Sequence, residues 1–200
     1  MKKTLLAAAC IAAFTATAPA AAQDERPFNG PWIGANIGYD SFTSGDDGDD
    51  TSEDGIAYGI ALGYDINLGR VVLGIEGEIG DSSVRASVSD ALEDGDVLKI
   101  SSGRDIYAGI RLGVPVSDKM VVFAKGGYTN QRFKAAYTLD GETVLESDNS
   151  DGFRVGAGVE LDFGQPFARL EYRYSDYGSF SEAEFETSRH QIMLATGVRF

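Results

Sequence analysis

The chain has 200 residues, 43% hydrophobic and 24% charged, with 25 glycines, one cysteine and one histidine, and 31 acids against 17 bases give a net charge of −14. That length holds one domain of ordinary size, and the acid excess excludes nucleic acid as a partner, because phosphate binding needs clustered Lys and Arg. One cysteine excludes an internal disulfide, and with one histidine too few ligands remain for a Cys- or His-built metal centre, so no metal or cofactor is expected.

Residues 1–22 read as an export signal. Lys2 and Lys3 form a positive start, Leu5–Phe14 a short apolar stretch, and Ala20-Ala21-Ala22 an A-x-A cleavage site before Gln23. A membrane anchor would need about 18 unbroken apolar residues, and Thr15, Thr17 and Pro19 interrupt this one. Residues 23–200 are then the exported domain, and they contain no cysteine.

From there the dominant signal is period two. Alternating segments are expected at about 32–40, 56–66, 70–80, 103–114, 119–130, 152–163, 167–175 and 189–200. Each is near the ~9–11 residues that a tilted strand needs to cross a bilayer. In Ile56–Tyr64, Ile, Tyr, Ile, Leu and Tyr share one face and only Ala and Gly the other. In Phe153–Phe163 the apolar set is opposed by Arg154, Gly156, Gly158, Glu160 and Asp162.

The connections alternate as well. Asn67–Gly69, Pro115–Asp118 and Gly164–Pro166 are short, whereas about 41–55, 81–102, 131–151 and 176–188 are long. Short turns at one end and long loops at the other are the layout of an outer-membrane barrel. Alternation at Phe133, Ala135, Tyr137 and Leu139, followed by Asp140-Gly141, predicts a hairpin continuing past the membrane.

The polar face decides which side is inside. It carries many glycines together with Glu76, Glu78, Asp105, Arg111, Lys125, Arg154, Glu160, Arg169, Glu171 and Arg199, as well as Asp65, Asp162 and Arg173. Glycine beside long charged groups suits a narrow lumen, where one residue must be small for its neighbour to reach across. A solvent-facing strand gains nothing from such glycines. Arg or Lys on a lipid face would cost roughly 2–4 kcal/mol at mid-bilayer. Near-equal numbers of acids and bases predict ion pairs crossing the lumen, since unpaired buried charge is expensive. Tyr39, Tyr58, Tyr128, Phe153 and Tyr174 fall on the apolar parity near the long-loop end, and Tyr64, Phe163 and Phe200 near the other. Those are the two expected aromatic girdles. The fold expected is therefore all-β, an eight-stranded antiparallel up-and-down transmembrane β-barrel, monomeric, in contact with outer-membrane lipid and lipopolysaccharide.

Several stretches resemble the small outer-membrane β-barrel family of opacity-like surface antigens, the porin-family proteins. They are Trp32–Tyr39, Leu73–Gly77, Arg111–Gly113, Ala124–Tyr128, Glu171–Gly178 and His190–Phe200. The resemblance implies integral outer-membrane localisation and insertion by the outer-membrane assembly machinery, reading a last strand that ends in Phe200. It is also similar to the barrel half of OmpA-type proteins, without a peptidoglycan-binding domain. Enzymatic relatives with this architecture look different. A lipid A deacylase barrel has a Ser two residues after its His, and here Ile192 holds that position after His190. No catalytic residues are expected.

The acidic run Asp46, Asp47, Asp49, Asp50, Glu53 and Asp54 lacks the glycine an EF-hand needs at its sixth position. It is expected as a solvated loop, with weak divalent-cation bridging to anionic lipid as the sharper alternative. Counting residues 40–55, 81–98, 140–151 and 176–188 together, the long connections carry 21 of the 31 acids and one base. The leading functional expectation is a structural or surface-interaction barrel displaying acidic loops over a lumen filled with ion pairs. Two alternatives stay open: a narrow porin-like channel for small cations or solutes, and a secreted soluble ligand-binding barrel.

Overall fold

A computed structural model describes residues 27–44, 51–89, 97–139, 142–177 and 187–200. The expected signal segment and Asp46, Asp47, Asp49 and Asp50 lie outside the described residues. So does the expected Asp140-Gly141 turn, although Leu139 pairs with Glu142 on either side of it.

Among the described residues nine strands form: β1 (Gly30–Ser44), β2 (Thr51–Asn67), β3 (Val72–Ser82), β4 (Arg85–Ser89), β5 (Val97–Ser117), β6 (Met120–Leu139), β7 (Glu142–Asp162), β8 (Pro166–Tyr177) and β9 (Thr187–Arg199). Apart from β3 and β4, each pairs antiparallel with its sequence neighbours. β3 and β4 lie end to end against β5, so they count as one interrupted stave. β9 returns to β1 and closes a ring of eight staves.

The register fixes the shape of that ring. Following paired residues once round leads from Trp32 through Gly63, Glu76, Gly109, Gly127, Arg154, Ser175 and Arg189 to Phe42, ten residues along the starting strand. With strands ~4.8 Å apart and rising ~3.3 Å per residue, that stagger gives a tilt of about 40° and a backbone radius of about 8 Å. An interior this narrow is filled by side chains.

Burial is inverted relative to a soluble protein. Outward residues such as Ile60, Leu62, Ile75, Ile110 and Leu194 are 57–69% exposed, whereas inward Arg154 and Glu160 are 0% exposed. The apolar band faces outward and the charges inward, which sets aside the soluble ligand-binding barrel.

The strands outrun the expected ranges in two places. β5 continues through Pro115, one of the expected turn residues, to Ser117, with a register shift between them. A strand end with a bulge tolerates proline, because no ladder hydrogen bond is lost there. On the long-connection side, β4 to β7 run on as hairpins beyond the barrel wall. Much of what reads as loop at 81–102 and 131–151 is therefore strand. Glu53 and Asp54 likewise sit in β2, opposite Phe42 and Ser41. Polar and acidic residues weaken the alternation there, while the hydrogen-bonded ladder continues.

Candidate functional site

The inward side chains build one connected column. At the short-turn end Asp65 meets Arg111 at 3.3 Å and Arg199 at 2.9 Å. Glu160 takes Arg111 at 3.0 Å, Arg199 at 2.7 Å and Arg169 at 2.8 Å, and Arg169 continues to Glu76 at 3.5 Å. In the middle Lys125 Nζ stands between Glu76 at 2.6 Å and Glu171 at 2.7 Å. Arg173 joins Glu171 at 2.7 Å to Glu78 at 2.6 Å. Towards the other end Arg154 lies 3.9 Å from Glu78 and 2.5 Å from Asp105. Arg189 then links Asp105 to Asp40, both at 2.7 Å. Acid and base alternate throughout, so each charge has an opposite neighbour and like charges are kept apart.

All ten side chains expected in this network point inward and take part. Two members were not anticipated, Asp40 and Arg189. Asp40 counts with the loop acids in the sequence, yet it is 0% exposed inside the barrel. Its guanidinium partner is 149 residues away in the chain, so no local pattern announces the pair. Parity was the available signal: Asp40 shares a face with Asn36 and Gly38, and Arg189 with Gly197 and Arg199.

Aromatic rings interleave with the cations inside. The Arg169 guanidinium lies 4.5 Å from the Trp32 ring centroid and Arg111 lies 4.3 Å from Phe123. Lys125 lies 4.7 Å from Tyr107, and Arg189 the same distance from Phe42. A desolvated cation over a ring face gains roughly 2 kcal/mol. The glycines make room for these rings. A Cβ on Gly158 would come within 2.9 Å of Phe123, one on Gly197 within 2.7 Å of Phe167, and one on Gly63 within 2.5 Å of Trp32.

Both ends of the column are closed by apolar clusters. At the short-turn end Phe28, Val72 and Val121 are each 0% exposed. The segment carrying Phe28 folds back over the mouth. Asn67 Nδ2 donates to the Pro27 carbonyl at 2.6 Å, and the Asn67 amide donates to Asn29 Oδ1 at 3.0 Å. Phe28 holds a left-handed φ of 58°, and its amide donates to Asp162 at 3.4 Å. At the other end Phe42, Val84 and Tyr177 pack together with Phe133 against them.

On the outer wall Tyr39, Tyr58, Tyr64, Tyr128, Phe153, Phe163 and Phe200 are 36–63% exposed. Tyr174 also faces outward but is half-buried, 6.4 Å from Phe153 and 5.1 Å from His190. Tyr172 joins this row unanticipated, its hydroxyl 2.7 Å from His190 Nδ1. His190 is thus engaged by a phenol, and no serine hydroxyl bonds to it among the described residues. At the long-connection rim the Tyr39 hydroxyl donates to Asp54 and holds that carboxyl below its usual range. Tyr128 and Asn130 do the same for Asp151.

Comparison with known proteins bears on this inside-out ring. Residues 6–200 match the family described as outer membrane protein beta-barrel domain. The chain belongs to that family. A Brucella melitensis protein described as a 31 kDa outer-membrane immunogenic protein is 29% identical over 196 residues, covering 86% of this chain and 81% of that one. A 22 kDa outer membrane protein of Rhizobium leguminosarum bv. viciae is 29% identical over 182 residues, covering 86% and 79%. Among solved structures, Neisserial surface protein A superposes with a TM-score of 0.56 at 15% identity, covering 85% of this chain and 97% of that one. The attachment invasion locus protein of Yersinia pestis gives 0.52 at 16% identity, covering 86% and 99%. Those two likenesses concern the fold.

As a member of the family, this is an integral protein of the bacterial outer membrane. The exposed aliphatic band between the two sets of outward aromatics is the surface that meets hydrocarbon. The short turns then belong to the periplasmic side and the extended hairpins to the outside.

Proposed function

We propose that the protein is a sealed, non-catalytic anchor that displays extracellular strands and acidic loops, with a structural and surface-interaction role. The observation that carries this reading is the unbroken alternation of acid and base from Asp65 to Asp40, closed at both ends by packed apolar side chains. A continuous aqueous path would need water or mobile side chains where ion pairs of 2.5–3.9 Å now stand. A narrow cation channel is therefore the less supported use of the same lumen. His190 supports no acyl-transfer chemistry, since Tyr172 occupies its Nδ1 and no serine hydroxyl bonds to it among the described residues.

The remaining roles follow. The outward aromatics seat the monomer against phospholipid and lipopolysaccharide. Residues 1–22 direct export, and the last strand, ending in Phe200, is read by the outer-membrane assembly machinery. The acidic rim engages divalent cations weakly, bridging them to anionic lipid. Single-channel recording in planar bilayers tests the central reading. The wild type stays closed, and Lys125→Ala or Glu76→Ala raises leak. A steady wild-type conductance abolished by filling the lumen would refute the sealed barrel.

A further inference from the structure

The outward face on the side of the long hairpins carries its charges unevenly. Besides Arg26, the bases of the lumen column and the short-turn residues Arg70 and Lys119, the chain after residue 22 holds five bases, Arg85, Lys99, Arg104, Arg132 and Lys134. All five lie on β4, β5 and β6. Arg132 and Lys134 share the parity of outward Tyr128. Lys134 pairs with Ser101, Ser101 with Arg85, and Lys99 with Ala136, and residues paired across strands share a face of the sheet. Arg104 sits in the register shift between Ser102 and Asp105, and its guanidinium donates to outward Asn130 Oδ1 at 3.3 Å. Among the described residues the remaining outward charges on this side of the membrane are acids, Asp54, Asp81, Asp151 and Asp176.

Arg85, Arg104 and Arg132 stand on three adjacent strands. With a tilt of about 40° and ~3.3 Å per residue, they lie about 5–10 Å beyond the level of the outer aromatics, and Lys99 and Lys134 further out. The headgroup zone of a bilayer occupies about that height on each side of the hydrocarbon. None of the five bases forms an ion pair among the described residues, and the buried Arg132 Nε has no hydrogen-bond partner there. The adjacent acids are engaged elsewhere. Asp81 accepts from the Ser82 amide at 2.7 Å, and Asp151 from Asn130 at 2.6 Å and from Tyr128. The acid-rich stretch 90–96 leaves from Ser89 and Val97, four rungs beyond Arg85.

An apolar groove lies on the membrane side of the same wall. Gly77 pairs with outward Leu62 and Ala108, and a Cβ on it would meet nothing closer than 3.8 Å. Ile60, Leu62, Ile79 and Ile106 border this gap, which has a volume of about 280 Å³.

We infer that the β4–β6 wall binds a phosphorylated glycolipid of the outer leaflet. Arg85, Arg104 and Arg132 hold its phosphates, and one acyl chain lies along the Gly77 groove. Guanidinium forks match phosphate oxygens two at a time. Like charges set side by side repel, and an anion between them turns that repulsion into attraction. A flexible acidic loop of another protein would meet the same bases but has no use for a groove at hydrocarbon depth. The inference rests on the reading of lipopolysaccharide contact and gives that contact a place and a direct, cation-independent chemistry.

The test uses the folded full-length protein and native mass spectrometry with EDTA present, which removes bridging through acids. The probes are bisphosphoryl lipid A, a phosphate-free lipid A analogue and phosphatidylglycerol. Heat-modifiable gel mobility verifies the folding of each variant. Bisphosphoryl lipid A binds, and the other two bind far more weakly. Arg104→Gln/Arg132→Gln lowers its affinity by about tenfold or more, the worth of a lost charge-assisted contact, whereas Lys119→Gln on the periplasmic side changes nothing. Gly77→Val fills the groove and weakens lipid A binding while leaving the fold intact. Equal binding of the phosphate-free analogue or of phosphatidylglycerol overturns the proposal, as does displacement by inorganic phosphate, which would mark a free-anion site. Lipid A binding that survives the arginine variants overturns the site and leaves the lipopolysaccharide contact standing. No binding of lipid A overturns both.

Discussion

Lys125→Ala is the sharpest perturbation of the lumen. Its ammonium stands 2.6 Å from Glu76 and 2.7 Å from Glu171, with 0% of the side chain exposed. Removing it leaves two buried carboxylates facing each other across a void. Breaking a buried pair by deleting one partner typically costs about 3–5 kcal/mol, because the remaining charge is uncompensated. Here each acid keeps a second cation, Glu76 having Arg169 at 3.5 Å and Glu171 having Arg173 at 2.7 Å. The loss therefore belongs at the lower end, about 3 kcal/mol. Lys125→Met/Glu76→Gln removes both signs at nearly constant volume and recovers most of that loss. The assay is reversible urea unfolding in lipid vesicles, followed by heat-modifiable gel mobility and by the fluorescence of Trp32, the sole tryptophan. A loss below about 1 kcal/mol for Lys125→Ala, or a double variant no better than the single, would refute the argument that paired charge governs the column.

Two further outcomes follow from the packing. Gly127→Ala places a Cβ inside van der Waals contact with the Ala108 carbonyl oxygen and with Gly109 Cα, and it lowers stability by about 1–3 kcal/mol through backbone displacement. Gly126→Ala, one residue away on the lipid face, meets nothing closer than 3.8 Å and gains about 0.5–1 kcal/mol because glycine weakens a strand. Urea midpoints compare the two, and equal effects would count against the inward and outward assignment. Phe28→Ala opens the periplasmic mouth: acrylamide quenches Trp32 more strongly, and stability falls by about 3 kcal/mol, the low end for a buried phenylalanine. Unchanged quenching would mean that Phe28 does not seal that end.

Legibility in the sequence followed the range of the physics. Which face of β2 or β7 turns inward is a local property, because the side-chain period of a strand is two. Ile60 and Leu62 against Gly59 and Gly63 state it within a few residues. Where β7 begins was harder to read. Alternation reports burial contrast, and Thr143–Asn149 stand in water on both faces. Beyond the hairpin announced by Phe133–Leu139 and Asp140-Gly141, these stretches consequently read as loops, and the acids attributed to those loops are partly borne on strands.

By itself, then, the sequence determined that this is a membrane barrel with a charged, glycine-rich inside, since period, parity and turn length are written residue by residue. The tertiary structure alone decided the partners. A stagger of ten residues round the ring brings Arg189 level with Phe42 and within reach of Asp40 and Asp105. It also puts Glu160 level with Arg169 and within reach of Arg111 and Arg199. Both facts depend on where strands far apart in the chain lie relative to one another, a relation that no local pattern encodes.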